Sequence, residues 1–272
     1  MKSLTPSTNI QSLSVDIIDT VNKSACMELI HPVKQPEVEQ LLYYLQNRLG
    51  KQPEQQRKVQ SLQPDNFIQD NFTVEAYIEQ LHEYTEQLYE NLPAKLKASK
   101  QILTLARNPE NLETLIHSET LLGALARVLR EDWKKSTELA TTIVYVFFCF
   151  SAFSNFHFSI IEHKVGGLCM QIIGFELQRT SQWQKDLDQK KRFDSKEVYE
   201  KYKQKYESAI ELGNQLLRVT TYLLLNISED TKIQMRMRQK GIVKILVETL
   251  RQKRGDDVEI LVISFLREIF DK

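Results

Sequence analysis

The chain repeats itself, and the spacing of the copies limits its possible folds more than any other feature. Leu121–Arg130 (LLGALARVLR) and Ile242–Arg251 (IVKILVETLR) lie 121 residues apart; six of ten positions are apolar in both and the closing Leu-Arg is identical. Continued without a gap, Glu138-Leu139-Ala140 falls on Glu259-Ile260-Leu261. A second gapless offset, 77, lays Glu138–Ile173 on Gln215–Leu250 and pairs Tyr145 with Tyr222, Phe148 with Leu225, Ser151 with Ser228 and Val165 with Ile242. The offsets differ by 44, so units open near Thr120, Lys164 and Gly241. A 44-residue step lies in the armadillo and HEAT range. The spacing therefore predicts an all-α, armadillo-type repeat solenoid (an α-α superhelix), in which each unit buries its apolar face against its neighbours.

The second step is 77 rather than 44, which implies an insertion of 33 residues. Composition locates it: Gln178–Ile210 is rich in Lys, Asp, Glu and Gln and contains KDLDQKK and YEKYKQKYE. Such a charge-laced segment reads as an exposed helical hairpin. Tyr199, Tyr202 and Tyr206 are three and four apart and share one helix face. With Trp183 they form either a partner surface or the seam that packs two insert helices together.

A fainter copy, Ala94–Arg107 (AKLKASKQILTLAR), keeps the apolar phase at Leu96, Ile102, Leu103 and Ala106 and reads as an N-terminal half repeat. Upstream, Val38, Leu41, Leu42, Leu45 and Leu49 have helical spacing, and Gly50–Asn71 is polar and linker-like. The expected organisation is an N-terminal helical segment and linker over 1–72, then repeats over 73–272. These divide into a half repeat 73–119, a repeat 120–163, a repeat 164–240 carrying the insertion 178–210, and a partial repeat 241–272. A terminal repeat should turn a polar face outward. Val258–Phe270 instead carries Ile260, Leu261, Ile263, Phe265, Leu266 and Ile269. That pattern predicts an uncovered apolar face and a chain cut from a longer repeat protein.

Charge and composition narrow the functional classes. The chain has 36 basic and 36 acidic residues among 272. No basic excess is available to neutralise phosphates, so neither nucleic acid nor an anionic membrane surface is an expected partner. Cys26, Cys149 and Cys169 lack metal-like spacing and read as reduced thiols of a cytoplasmic protein. Leu139–Ile161 contains no charged residue and is long enough to span a bilayer, the basis of an alternative membrane-anchored reading. Thr141, Thr142, Ser151, Ser154, Asn155 and His157 interrupt it, so a buried helix followed by a loop is expected instead, with no membrane insertion. No phosphate loop, dinucleotide fingerprint, HExxH or CxxC occurs. Neither His157 with Glu162 and His163 as metal ligands nor Cys149 with His157 as a catalytic pair has persuasive spacing. No catalytic residue, cofactor or metal is expected.

A repeat stack offers a groove lined by the inner helices of successive units. Armadillo grooves that hold extended peptides place an aromatic residue and, four residues on, an Asn on that helix. Tyr222 and Asn226 resemble that pair, and Arg218 lies one turn before them. At offset 77 the matching residues are Tyr145 and Cys149; at offset 121 they are Leu266 and Phe270, so a regular peptide ladder is not expected. Tyr145, Arg218, Tyr222 and Asn226 are the expected polar and aromatic part of the groove. The alternatives are that the tyrosines pack between helices and that Asn226 makes a local helix-end hydrogen bond.

Four stretches carry a family resemblance: IHPVKQPEVEQLLYYLQNR (Ile30–Arg48), LARNPENLETLI (Leu105–Ile116), LLGALARVLREDWKKSTELATTIVYVFFCFSAFSNFH (Leu121–His157) and LLRVTTYLLLNISEDT (Leu216–Thr231). In order and wording they resemble the kinesin-associated proteins, non-motor subunits of heterotrimeric kinesin-II, from about Val21 to the C-terminus. The resemblance implies a non-catalytic adaptor that binds the tail regions of kinesin-II motor subunits and links them to cargo proteins. It also implies work on microtubules in the cytoplasm and the cilium. Members of that family continue through many more repeats. A different armadillo scaffold with other protein clients is the alternative.

Overall fold

The computed structural model describes residues 74–270; the expected Val38–Leu49 helix, the linker and Cys26 lie outside them. Among the described residues there are eleven α-helices and no strand: α1 Val74–Gln87, α2 Leu92–Ala106, α3 Pro109–His117, α4 Glu119–Asp132, α5 Thr137–Ser151, α6 His157–Glu162, α7 Val165–Phe193, α8 Lys196–Ile227, α9 Thr231–Gln239, α10 Ile242–Arg251 and α11 Asp256–Phe270. The protein is an all-α helical repeat.

Local chemistry sets the helix ends. Asn91 caps α2 by accepting from the Ala94 N–H, and Ser136 caps α5 by accepting from Leu139. Asn108 and Asp230 open α3 and α9 in the same way. Pro109 follows Asn108 as the first residue of α3, where its missing N–H is harmless. Lys164 before α7 and Gly241 before α10 both adopt a left-handed conformation, with φ of 60° and 81°. The two corners are 77 residues apart and are the same turn. Gly241 enters it freely, whereas Lys164 crowds its Cβ against the backbone.

The helices recur in threes. A short helix (α3, α6, α9) is followed by a second (α4, α7, α10) and a third (α5, α8, α11), and α1 and α2 precede them as a second–third pair. The third helices stack in a row: α2 packs on α5, α5 on α8, and α8 on α11. Their inward positions recur at offset 77: Leu139, Val146, Phe147 and Phe150 of α5 are buried, as are Leu216, Leu223, Leu224 and Ile227 of α8. Trp133, just after α4, meets Phe175 of α7 edge to face at 5.0 Å between ring centres, tying second helices together.

Three expectations change. The gapless 121-residue register fails beyond α10. Leu139 is buried while its supposed match Ile260 is 46% exposed. In that register α10 ends at Arg251, two residues earlier than α4 at Asp132, and each is followed by four connecting residues, so the third helices match at an offset of 119. Leu139, Ile143, Val146 and Phe150 then fall on Val258, Val262, Phe265 and Ile269, all buried. In this register Leu266 matches the buried Phe147, and Ser264 and Glu268 match Tyr145 and Cys149; Leu266 and Phe270 are not the groove pair. Second, most of the apolar face expected to be uncovered on α11 is covered: Leu261, Phe265, Leu266 and Ile269 are buried and α11 packs on α8 and α10, while Ile263 is half-buried and only Ile260 of the six stands exposed. Third, the insertion contributes no helices of its own. It lengthens α7 and α8, which run unbroken from the stack into one antiparallel hairpin turning at Asp194 and Ser195.

Leu139–Ile161 is the buried α5 followed by a bend. Among the described residues no single helix is long and apolar enough to cross a membrane; Thr137–Ser151 and Ser154–Glu162 have the composition together but are bent by 119°.

Candidate functional site

The outward face of the third-helix row follows from the same periodicity that buries its inward face. On α5 the outward residues are Glu138, Thr141, Tyr145 and Phe148; on α8 they are Gln215, Arg218, Tyr222 and Asn226; on α11 they are Asp257, Ile260 and Ser264. Tyr145, Arg218, Tyr222 and Asn226 therefore do share one face. Their roles differ. Tyr222 is 42% exposed, an unusual state for a large aromatic residue on a packed helix. Tyr145 is half-buried and packs against the core.

Phe148 joins the two tyrosines. Its ring lies 5.9 Å from that of Tyr145, edge to face, and 5.8 Å from that of Tyr222. An aromatic ridge thus crosses from α5 to α8. At offset 77 Phe148 pairs with Leu225, and its position three residues after Tyr145 is the sign in the sequence that both rings stand on one face.

Arg218 and Asn226 make contacts between units. The Arg218 guanidinium reaches the Asp257 carboxylate of α11 at 3.4 Å, an exposed ion pair worth little to stability. The Asn226 amide donates to the Ser151 hydroxyl of α5 at 3.0 Å. That hydroxyl donates to the Phe148 carbonyl, and the buried His157 ring donates through Nε2 to the Ser151 carbonyl. Asn226 thus makes neither the alternative local helix-end bond nor a contact confined to its own unit. It clamps the end of α5, and one of its two amide protons is committed there.

The insertion residues lie along the hairpin seam. Tyr199, Tyr202 and Tyr206 are half-buried. Tyr206 donates to Gln184 across the seam at 2.7 Å, and the Lys190 ammonium sits 4.8 Å from the centre of the Tyr202 ring. Trp183 carries the Arg179 guanidinium at 4.6 Å. At the hairpin base, Arg179 binds the buried Glu176 carboxylate and Thr137 of α5, while Arg254 of the α10–α11 turn donates to Thr180. Burial pushes the Glu176 carboxyl above its usual range, opposed by Arg179 and Arg254. Gly213 leaves the space these groups need: a Cβ there would lie 3.1 Å from Glu176 Oε2 and 3.2 Å from Arg254 Nη2.

Neither Cys149 of α5 nor the fully buried Cys169 of α7 is suited to nucleophilic chemistry. Burial pushes Cys149 up to about 11 and Cys169 up to about 12, where the thiolate is scarce at neutral pH. Among the described residues, no group of three His, Cys, Asp or Glu side chains is placed to hold a metal ion.

The face is thus aromatic and polar, on helices locked to one another, which suits protein recognition. Comparison with known proteins gives one family: a model described as kinesin-associated protein (KAP) matches residues 1–270. No solved structure matches the chain.

Proposed function

Since the chain belongs to the kinesin-associated protein family, we propose that it is a non-catalytic armadillo-type adaptor that binds the tail regions of kinesin-II motor subunits and joins them to cargo proteins. The work so described is transport along microtubules, in the cytoplasm and the cilium. The family match over 1–270 carries this reading. The exposed Tyr222, the ridge it forms with Phe148 and Tyr145, and the adjoining Arg218 supply a surface of the kind that binds protein segments. Central aromatic and Arg anchors on such surfaces contribute about 2 kcal/mol or more each. A motor-tail segment would lay an aromatic or acidic side chain against Tyr222 and Arg218, displacing the weak Asp257 contact.

The test is capture of kinesin-II tail segments by the chain and by Tyr222→Ala and Arg218→Glu variants, with helical signal and melting point measured in parallel. Loss of capture with unchanged folding supports the face. Loss of both assigns Tyr222 a packing role, and unchanged capture puts the tail site elsewhere. Failure of the unaltered chain to capture any tail, with capture of other clients, would favour a general armadillo scaffold.

A further inference from the structure

The hairpin tip departs in charge from the rest of the molecule. Between Gln189 and Tyr206 there are seven basic residues against three acidic, a surplus of four in a chain whose totals balance at 36 and 36. Lys190, Lys191 and Arg192 sit in the last turn of α7, where they complement the helix dipole. That explanation does not extend to α8. Its N-terminal half carries Lys196 in the first turn, where a cation is disfavoured, and Lys201, Lys203 and Lys205 beyond the reach of the dipole. Lys190 is paired with Asp194 and Lys203 with Glu207. Among the described residues Lys191, Arg192, Lys196, Lys201 and Lys205 are exposed and have no acidic partner. Val198, Lys201 and Lys205 are three and four apart and share a helix face, and Val198 is 48% exposed.

Resting on the reading of the chain as a protein-binding adaptor, we propose that the tip of the α7–α8 hairpin is a docking site for an acidic, extended protein segment, seated along Val198, Lys201 and Lys205. Charge complementarity selects the occupant: unpaired lysines on a rigid arm attract carboxylates, and Val198 adds an apolar contact. Asp194, Glu197 and Glu200 stand among the lysines. They oppose the dense, uniform charge of a phosphate backbone or an anionic bilayer, while a peptide can place its carboxylates between them.

The experiment is titration of the full chain with fluorescent oligoglutamate at low and physiological salt, beside heparin, duplex DNA and phosphatidylserine vesicles. The double variant Lys201→Glu with Lys205→Glu should weaken oligoglutamate binding about tenfold or more, while Lys201→Arg with Lys205→Arg retains it. Helical signal and melting point should not change; if the reversed variant misfolds, Lys201→Gln with Lys205→Gln replaces it. No binding by the unaltered chain, equal binding by the reversed variant, or preference for heparin, DNA or vesicles over oligoglutamate would each overturn the proposal. Oligoglutamate contains no motor sequence. Its failure therefore leaves motor-tail capture untouched, and a failure of tail capture leaves the tip site standing.

Discussion

Asp132 offers a direct test of what holds neighbouring units together. Its side chain, at the end of α4, is only 4% exposed, yet it receives two ammonium groups at 2.6 Å: Lys95 of α2 and Lys135 of the α4–α5 connection. Lys95 is itself 14% exposed, whereas Lys135 is 66% exposed. Asp132→Asn leaves Lys95 facing a neutral amide in a poorly hydrated place. Removing one partner of a fully buried pair costs about 3–5 kcal/mol. Lys95 retains some access to water and Lys135 contributes little, so the expected loss is about 2–3 kcal/mol. For a unit of this size that lowers the melting point by roughly 5–10 °C.

The assay is thermal unfolding followed by circular dichroism, at neutral pH and again near pH 3. Hydrogen bonds from Lys135 and Lys95 hold the native Asp132 carboxyl below its usual range. Its contribution is therefore complete above the unfolded carboxylate value of about 4, and is lost as pH falls through the lower native value. The gap between wild type and Asp132→Asn should accordingly be wide at neutral pH and narrow in acid. A paired change, Lys95→Met with Asp132→Leu, should recover most of the stability, because an apolar contact can replace a buried ion pair. A neutral-pH loss below about 0.5 kcal/mol, within the range of an ordinary surface change, would refute the reasoning. So would a gap equally wide in acid.

Other outcomes follow from the same packing. Val146 is fully buried in α5, so Val146→Asp should unfold the chain, read as loss of helical signal or insolubility; a soluble, fully helical variant would contradict its placement. Lys164→Gly should raise stability by about 1 kcal/mol in chemical denaturation, by relieving the left-handed strain that Gly241 avoids. Cys169 should resist maleimide at neutral pH in the folded chain and react on unfolding, as its burial and its thiol at about 12 require. Excising Gln182–Lys205 and closing the gap with a short glycine linker should leave a cooperative melt, because Glu176, Arg179, Thr180 and Gly213 at the hairpin base are retained; loss of that transition would mean that the tip supports the stack.

Much of the architecture was legible because a solenoid copies its burial pattern from unit to unit. The 77-residue offset paired positions of α5 and α8 that prove to share their burial, and it paired Tyr145 with Tyr222. The 121-residue offset misled beyond Arg251 for a local reason. The helix α10 stops two residues sooner than α4, at a turn with left-handed backbone at Lys253 and Gly255, and a gapless comparison cannot register two missing residues. The insertion was visible as composition, but its continuity with α7 and α8 was not. An inserted pair of helices and two lengthened ones have similar periodicity. The Asn226–Ser151–His157 contacts and the ion cluster at Asp132 were out of reach, since they depend on pairs of residues up to 75 positions apart.

The unbroken course of α8 makes it a ruler. Lys201 near the tip and Tyr222 on the aromatic ridge belong to one helix and are separated by about 32 Å at the rise of an α-helix. No joint lies between them, so that span stays fixed as the chain tumbles. A ligand engaging both ends must match the span, and its second contact then forms as an intramolecular step at raised effective concentration. One whose two motifs are set too closely gains nothing from the pair. Changing the length of α8 by whole turns would therefore alter which ligands gain from bridging, with the chemistry at either end untouched.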